Sequence, residues 1–256
     1  MEYFNEEQKL LLMEGSLTLS TLTEGLDCLR KANMYEKGLY YQAFLSLSIG
    51  IERLLKIILL YEYRINNDGK FPENNYLKEK GHDLYEMFKI VSPNTLEDNV
   101  DNLVIKFLSN FAKSTRYYNL DVLTRRDVKL LNPLEECKNI EDIIIEKYNV
   151  KQRKIQNQNP FVNHMNEISS ILYLDMRGRE INDFNDVLNE CEMRDIIQGY
   201  NVLVFYKIIK SLMYTLTEYE IRNNLFPCLR EFFSYFRGNF TDSEIRKKKS
   251  WRNVMW

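Results

Sequence analysis

The strongest pattern of apolar and polar positions lies in the stretch Gly38–Glu62, GLYYQAFLSLSIGIERLLKIILLYE. Read as a helix with about 100° per residue, this stretch leaves nearly every direction apolar or aromatic. The polar exceptions fall in one narrow stripe, which continues past the stretch: Gln42, Ser46, Arg53, Lys56 and Arg64. A helix with so little polar surface must lie inside a bundle, and we expect it to run from about Gly38 to Ile65.

Amphipathic segments before and after this central helix predict further helices. Thr21 and Glu24 have capping-box spacing, and Asn132 followed by Pro133 provides a cap and a first helical residue. Up to the middle of the chain we expect helices at Glu6–Met13, from Thr21 to Asn33, over the apolar face Leu84–Val91 closed by Pro93, from Leu96 to Lys113, and from Asn132 to Tyr148.

The second half of the chain begins with a polar connector, Val150–Pro160, which is rich in Gln and Asn and is a candidate boundary or mobile loop. The stretch YNVLVFYKII could be a buried strand, but no second strand candidate exists to pair with it, so we predict a helix. The helices expected after the connector are Phe161–Arg177, Phe184–Glu190, Glu192–Arg222, Pro227–Phe236 and one started by the capping box Thr241 to Glu244.

Composition supports an all-α up-down helical bundle. Only 9 of the 256 residues are Gly and 5 are Pro, while 45% are hydrophobic, so breakers are few and a large core can form. We expect a bundle over residues 1–131 and a helical extension over 132–256, either separate or packed on the first as a single domain. The net charge of −2 excludes a global field that would attract nucleic acid or an anionic membrane.

The residues that usually bind metals are sparse. The 4 Cys residues form no CxxC pair and the chain has only 2 His residues, so we expect neither a metal nor a cofactor.

The N-terminal stretch MEYFNEEQKLLLMEG does not resemble a signal peptide, and charged residues interrupt the most apolar windows, around Ile49–Tyr61 and Tyr200–Tyr214. These features predict a cytoplasmic protein that does not span a membrane.

Three motifs occur in a characteristic order: IGIERLLKIIL in the central helix, GHDL at the start of a following helix, and RYYNLD at the end of a later one. This order resembles the HEPN domain, a helical bundle of prokaryotic and higher eukaryotic nucleotide-binding proteins, over roughly Leu17 to Asp121. The resemblance implies a homodimer. It also implies either a metal-independent ribonuclease of a toxin, phage-defence or RNA-processing system or a non-catalytic partner.

The chain departs from the motif of the active members of that family, an Arg followed after four to six residues by His. Here Asp121 stands where the His would be after Arg116, and an aspartate would need strong desolvation to donate a proton at neutral pH. His82 and His164 lie too far from any arginine in sequence to replace the missing His. The resemblance therefore marks Arg116 and Asp121 as a weakened catalytic pair and leaves enzyme activity open.

Arg116 could still bind phosphate through its guanidinium, with Tyr117 and Tyr118 completing the turn. The alternative is an Arg116–Asp121 ion pair that orders a corner of the bundle. Glu52 and Arg53 either face the same pocket as Arg116 or form an exposed stripe.

His82 and Asp83 either line a pocket as a dyad or cap and stabilise the start of the helix that follows them.

The C-terminal tail is a second candidate site, because it interleaves positive charge with aromatic rings, a composition that favours nucleic acid binding. Its candidate residues are Arg246, Lys247, Lys248, Lys249, Trp251 and Arg252. The alternative is a solvated helix whose tryptophans dock on the bundle.

These observations favour a HEPN-like protein of a prokaryotic RNA-targeting, stress or phage-defence system, such as a toxin–antitoxin pair. We expect a degenerate or non-catalytic site that binds RNA or nucleotide phosphate. Two alternatives are a non-enzymatic module that binds a partner protein and an accessory subunit of a nucleotidyltransferase.

Overall fold

A computed structural model describes residues 3–73, 75–92, 99–124, 130–151, 160–171 and 173–251. Nearly all the regular structure in these ranges is α-helical, which confirms the predicted all-α helical bundle. No helix in these ranges is long and apolar enough to cross a membrane.

The first helix, α1, is continuous over Glu6–Lys31. The prediction of two helices here was wrong, because the Thr21 hydroxyl donates to the Leu17 carbonyl inside α1 at 2.7 Å and caps nothing. The true cap is Asn5, whose side chain accepts from the Gln8 backbone N–H at 2.8 Å and completes a capping box.

The central helix, α2, spans Gly38–Asn66, as its apolar pattern predicts. It runs antiparallel to α1, and two glycines allow the helices to approach closely. A Cβ added to Gly25 would lie 2.6 Å from Leu47, and one added to Gly50 would lie 2.7 Å from Leu22. The close contact of α1 and α2 therefore depends on the absence of a side chain at these two positions.

The helices α3 (Tyr76–Glu79), α4 (Leu84–Val91) and α5 (Asn99–Lys113) follow α2. Phe44 of α2 meets Phe107 and Phe111 of α5 edge to face, with ring centroids 4.7 Å and 5.5 Å apart. A 3₁₀ turn, Thr115–Tyr117, then leads into α6 (Tyr118–Leu123). Pro93, the predicted end of the helix before α5, and Leu96, the predicted start of α5, lie outside the described residues.

The helix α7 spans Pro133–Lys147, and the predicted Asn132 cap is confirmed by a 3.0 Å bond from the Leu134 N–H. The helix α8 covers only Pro160–Ile168, so the prediction of a helix to Arg177 was wrong. A small antiparallel hairpin, β1 (Tyr173–Leu174) with β2 (Glu180–Ile181), follows. The Asp175 carboxylate orders its turn by accepting from the Arg177 and Arg179 N–H groups at 2.8 Å and 2.9 Å.

One long helix, α9 (Phe184–Arg222), runs through the predicted break between Glu190 and Glu192. The break was predicted wrongly because no Pro or turn residue interrupts the helical pattern there. Residues from Val202 to Leu216 of α9 belong to the same hydrophobic core as α1, α2, α5 and α7, so both halves of the chain share one core. The stretch YNVLVFYKII is helical, as predicted.

The last part of the chain folds back over α1 and α9. The helix predicted at Pro227–Phe236 is instead two 3₁₀ turns, Leu229–Glu231 and Ser234–Arg237. The short helix α10 (Asp242–Lys247) begins at the capping box Thr241 to Glu244, as predicted. The segment after α10 then brings Trp251 into the core, where it has no exposed surface.

Candidate functional site

A groove of about 420 Å³ lies along one face of α2 and contains several of the predicted site residues. Its floor is formed by side chains of α2 at helical spacing, and its walls come from α1, the loop before α4, the end of α5 and the 3₁₀ turn after it. We call this the α2 groove. It is lined by Glu14, Leu45, Ser48, Ile49, Glu52, Arg53, Lys56, His82, Ala112 and Arg116.

Most charged groups in the α2 groove are paired with each other. Arg53 Nη1 lies 2.7 Å from Glu14 Oε1 across the α1–α2 contact. Glu52 accepts from Lys56 Nζ at 2.8 Å and lies 3.0 Å from His82 Nδ1, so one carboxylate serves two basic side chains. An anionic ligand could therefore recruit these bases only in competition with Glu14 and Glu52.

Arg116 is the exception, because no carboxylate of the described chain forms an ion pair with it. Its Nη2 donates to the Ala112 carbonyl at 2.8 Å, and its guanidinium lies 5.9 Å from the centroid of the Tyr117 ring. The proposed Arg116–Asp121 ion pair is therefore not formed. A guanidinium with unused donors at a groove is well suited to bind phosphate or carboxylate.

The other members of the predicted Arg–Tyr turn do not line the α2 groove. Tyr117 is exposed, while Tyr118 and Asp121, both in α6, are half-buried. The structure thus brings Arg116 together with Glu52 and Arg53 but leaves Asp121 outside the groove lining. Asp121 is only half-buried, so it lacks the strong desolvation that an aspartate would need to act as a proton donor.

His82 and Asp83 do not form a dyad, since their side chains bind different partners. His82 contacts Glu52 in the α2 groove, whereas Asp83 caps α4 by accepting from the Glu86 N–H at 3.2 Å. Asp83 also accepts from Lys113 Nζ at 2.7 Å and Ser109 Oγ at 3.0 Å. Burial alone would raise the pKa of Asp83, but these hydrogen bonds outweigh it and lower the pKa below its usual value.

The predicted nucleic-acid-binding tail is largely committed to contacts within the chain. Of the two alternatives for Trp251, docking on the bundle is confirmed and stacking on bases is excluded, because its ring is buried against Tyr206, with centroids 5.7 Å apart, and Phe236, at 6.1 Å. Its backbone N–H donates to the buried carboxylate of Asp27 on α1. These contacts make Trp251 a core residue that joins the C-terminal segment to α1.

The basic residues of the tail differ in their surroundings. Lys248 Nζ lies 4.6 Å from the Tyr235 ring centroid, and Lys249 pairs with Asp195. Arg246 lies over the Tyr200 ring at 4.4 Å, and Lys247 is exposed. Arg252 lies outside the described residues, and the exposed cations of the described tail are Lys247 and Lys249.

Sequence reasoning missed Glu14 and placed Lys56 only in the polar stripe of the central helix. Glu14 could have been found from the antiparallel register of α1 and α2, which places it opposite Arg53. That register depended on α1 being one helix, and the predicted break after Met13 concealed it. Among the described residues, no group of three or more His, Cys, Asp and Glu side chains could hold a metal ion.

Comparisons of this chain with protein family models, with characterised proteins and with solved structures found no match. A functional assignment must therefore rest on the geometry of the sites themselves.

Proposed function

We propose that this chain is a HEPN-like helical protein of a prokaryotic RNA-targeting, stress or phage-defence system, and that its α2 groove binds a phosphate group of RNA or of a nucleotide. The proposal rests on the motif order of the sequence and on one structural observation. Arg116 has no carboxylate partner in the described chain and lines the same groove as Arg53 and Lys56. A phosphate there would receive charge-assisted hydrogen bonds from a guanidinium whose donors are largely unused.

The proposed groove is a binding site with a degenerate catalytic apparatus. Asp121, which stands where the resembled ribonucleases have His, does not line the groove. The imidazole that does line it, His82, has its Nδ1 bonded to Glu52, and its side chain is 72% exposed. Arg116 is thus assigned to hold the ligand, and no described residue combines the position and the partners of a dedicated proton donor.

Replacing Arg116 by alanine tests this function. We expect the affinity for a nucleoside triphosphate, measured by calorimetry, to fall about tenfold or more, because each hydrogen bond to a charged group contributes about 1.5–3 kcal/mol. Arg222→Ala is the matched control, since Arg222 is an exposed arginine outside the groove that pairs with Glu218 at 2.8 Å. Equal nucleotide affinity in Arg116→Ala and wild type would contradict the proposal.

A ribonuclease assay on the same proteins separates binding from catalysis. We expect no RNA cleavage above the level of a buffer blank. Cleavage that disappears in a His82→Ala variant would show that the site is catalytic and that His82 supplies the missing imidazole.

The proposal includes a homodimer, and an exposed apolar stripe on α1 and α2 offers the surface for it. Leu10, Met13 and Leu17 follow one another along α1 and are 68%, 62% and 43% exposed. Leu45 and Ile49 of α2 are also exposed and line the α2 groove. Contact between two copies across this stripe would cover apolar side chains and bring the two grooves together.

Light scattering tests the dimer. We expect a mass of two chains for the wild-type protein and of one chain for Leu17→Glu, because a charge in the centre of an apolar contact is strongly unfavourable. Glu218→Lys, a charge change on an exposed residue of α9, should leave the dimer intact. A monomeric wild-type protein would remove the dimer and any site composed of two copies.

A further inference from the structure

One face of α9 alternates aromatic and basic side chains. Tyr200, Lys207 and Tyr214 are spaced by seven residues, and Lys210 lies between the last two, so all four project from one side of the helix over about 21 Å. The face is completed by Tyr148, at the end of α7, and Arg246 of α10. We call these six residues the tyrosine–lysine face. It is separate from the α2 groove and shares no lining residue with it.

Each ring of this face has a cation beside it. Arg246 lies 4.4 Å from the centroid of Tyr200, Lys207 Nζ lies 5.4 Å from that of Tyr148, and Lys210 Nζ lies 5.8 Å from that of Tyr214. Tyr148 and Tyr200 also contact each other, with centroids 5.2 Å apart. These contacts hold the rings and the cations in fixed relative positions without burying them fully, since all six residues keep exposed surface.

The charge of the face is positive. Its cations are Lys207, Lys210 and Arg246, and the carboxylate that contacts them is Asp242, which pairs with Lys207 at 2.8 Å. Lys210 donates to the Gly238 carbonyl at 3.0 Å, and Arg246 donates to the Asp242 carbonyl at 3.3 Å, so neither is neutralised by these bonds. The local surplus of positive charge contrasts with the net charge of −2 of the whole chain.

The geometry points to single-stranded nucleic acid as the ligand of the tyrosine–lysine face. Unpaired bases stack on aromatic rings and guanidinium planes, and the phosphates between them are attracted to interleaved cations. A base pair in a duplex has its faces covered by its neighbours, so duplex DNA or RNA would reach only the cations. The inference does not depend on the α2 groove binding nucleotides.

Two other anionic partners fit the face less well. A membrane surface would require exposed aliphatic or aromatic side chains that enter the lipid, whereas the exposed rings here are tyrosines paired with cations. An acidic peptide would use the cations but would gain little from rings spaced along α9. We therefore assign the face to bases and phosphates together.

The test measures fluorescence anisotropy of a short labelled single-stranded RNA. Tyr214→Ser should weaken binding about tenfold, because stacking on one ring is of that order. Lys207→Gln with Lys210→Gln should weaken it and flatten the slope of log affinity against log salt by about 0.7 for each lysine removed. Tyr3→Ser, a change at a tyrosine that is 87% exposed, and Arg222→Gln should behave as wild type.

Two further measurements separate this face from the α2 groove and check that the variants are folded. The face variants are made in both the wild-type and the Arg116→Ala backgrounds, and they should lose RNA affinity in both. Circular dichroism should show unchanged helix content, and Tyr214 is half-exposed, so its replacement should not unfold the chain.

The inference is overturned if the wild-type protein binds no single-stranded RNA at low salt. It is also overturned if the face variants bind as wild type, if a duplex of the same sequence binds equally well, or if a polyglutamate peptide competes with equal affinity. Failure of the nucleotide-binding test in the α2 groove would leave these outcomes unchanged.

Discussion

Glu220 is a buried acid near the end of α9, and its surroundings act on its charge in opposite directions. Burial raises its pKa to about 7, although the Leu229 N–H donates to it at 2.6 Å and the Arg230 N–H at 3.2 Å. Since the pKa of Glu in an unfolded chain is about 4.3, the folded protein binds this proton more tightly than the unfolded chain does. The contribution of Glu220 to stability is therefore fully present below pH about 4.3 and is lost as the pH rises through about 7.

Glu220→Gln should remove this dependence on pH. We expect the free energy of unfolding of wild type, relative to that of the Gln variant, to fall as the pH rises from about 4.3 to about 7 and to level off above that. Urea denaturation at a series of pH values measures the difference. Glu218→Gln is the control, because Glu218 is exposed and lies on the same helix. A difference that grows with pH would mean that the N–H donors outweigh burial.

Single residues also show how far the sequence could predict the α2 groove. Glu52, Arg53, His82 and Arg116 were candidates, and the structure places all four in one groove. His82 lies far from any arginine in sequence, yet the chain folds so that α2 and the loop before α4 meet the end of α5. For Trp251 the sequence leaves base stacking and docking on the bundle both open, because a tryptophan among lysines occurs on surfaces and at the edges of cores, and only its burial decides between them.

At the scale of elements, α1 and α2 form a tightly packed antiparallel pair. The added Cβ of an alanine at position 50 would lie 2.7 Å from a Leu22 side-chain atom and 3.1 Å from the Leu22 backbone nitrogen. Backbone atoms of a buried helix cannot move aside without separating the pair. By contrast, a Cβ added to Gly38, at the start of α2, would have no such neighbouring atom within 4 Å.

Gly50→Ala should therefore destabilise the protein by about 1–3 kcal/mol, the usual cost of overpacking, despite the better helix propensity of alanine. Gly38→Ala should be neutral or stabilise by up to about 1 kcal/mol, since it restricts the unfolded chain and meets no clash. Thermal or urea unfolding of both variants against wild type measures these changes. Equal stability of the two variants would show that α1 and α2 are less closely packed than described.

The elements that the sequence predicted well are those whose ends are set by local chemistry. The apolar pattern defined α2, and the caps Asn132 and Thr241 defined the starts of α7 and α10. The failures arose where contacts distant in sequence decide the structure. Gly15 and Thr21 resemble breakers locally, yet α1 continues because Gly15 packs against Phe232 and Thr21 bonds within the helix. The hairpin at Tyr173–Ile181 is too short for an alternating pattern to show.

At the scale of the whole molecule, the C-terminal segment completes the core. Trp251 contacts Tyr206, Tyr235 and Phe236, and Gly199 allows α10 to approach α9, because an added Cβ would lie 2.9 Å from the Arg246 carbonyl oxygen. The Asp27 carboxylate of α1 accepts the backbone N–H of Trp251. A single residue, Trp251, thereby connects the C-terminal segment with α9 through its ring and with α1 through its backbone N–H.

Trp251→Ala should destabilise the protein by about 3–5 kcal/mol, because it removes a large, fully buried ring. Denaturant unfolding followed by circular dichroism measures this change. Trp251→Phe serves as the matched variant and should lose much less, since it keeps an apolar ring. A small effect of Trp251→Ala would show that the segment lies on the surface in solution.

The bond between Asp27 and the Trp251 backbone joins positions 224 residues apart, whereas Glu14 and Arg53 are 39 residues apart on neighbouring helices. Closing a longer loop costs more chain entropy, and distant contacts slow folding. The α1–α2 pair can therefore form early, while its Asp27 remains without the Trp251 donor until the chain has closed around α9. Burial of Trp251 is accordingly expected among the last steps of folding, and the blue shift of its fluorescence would time that step.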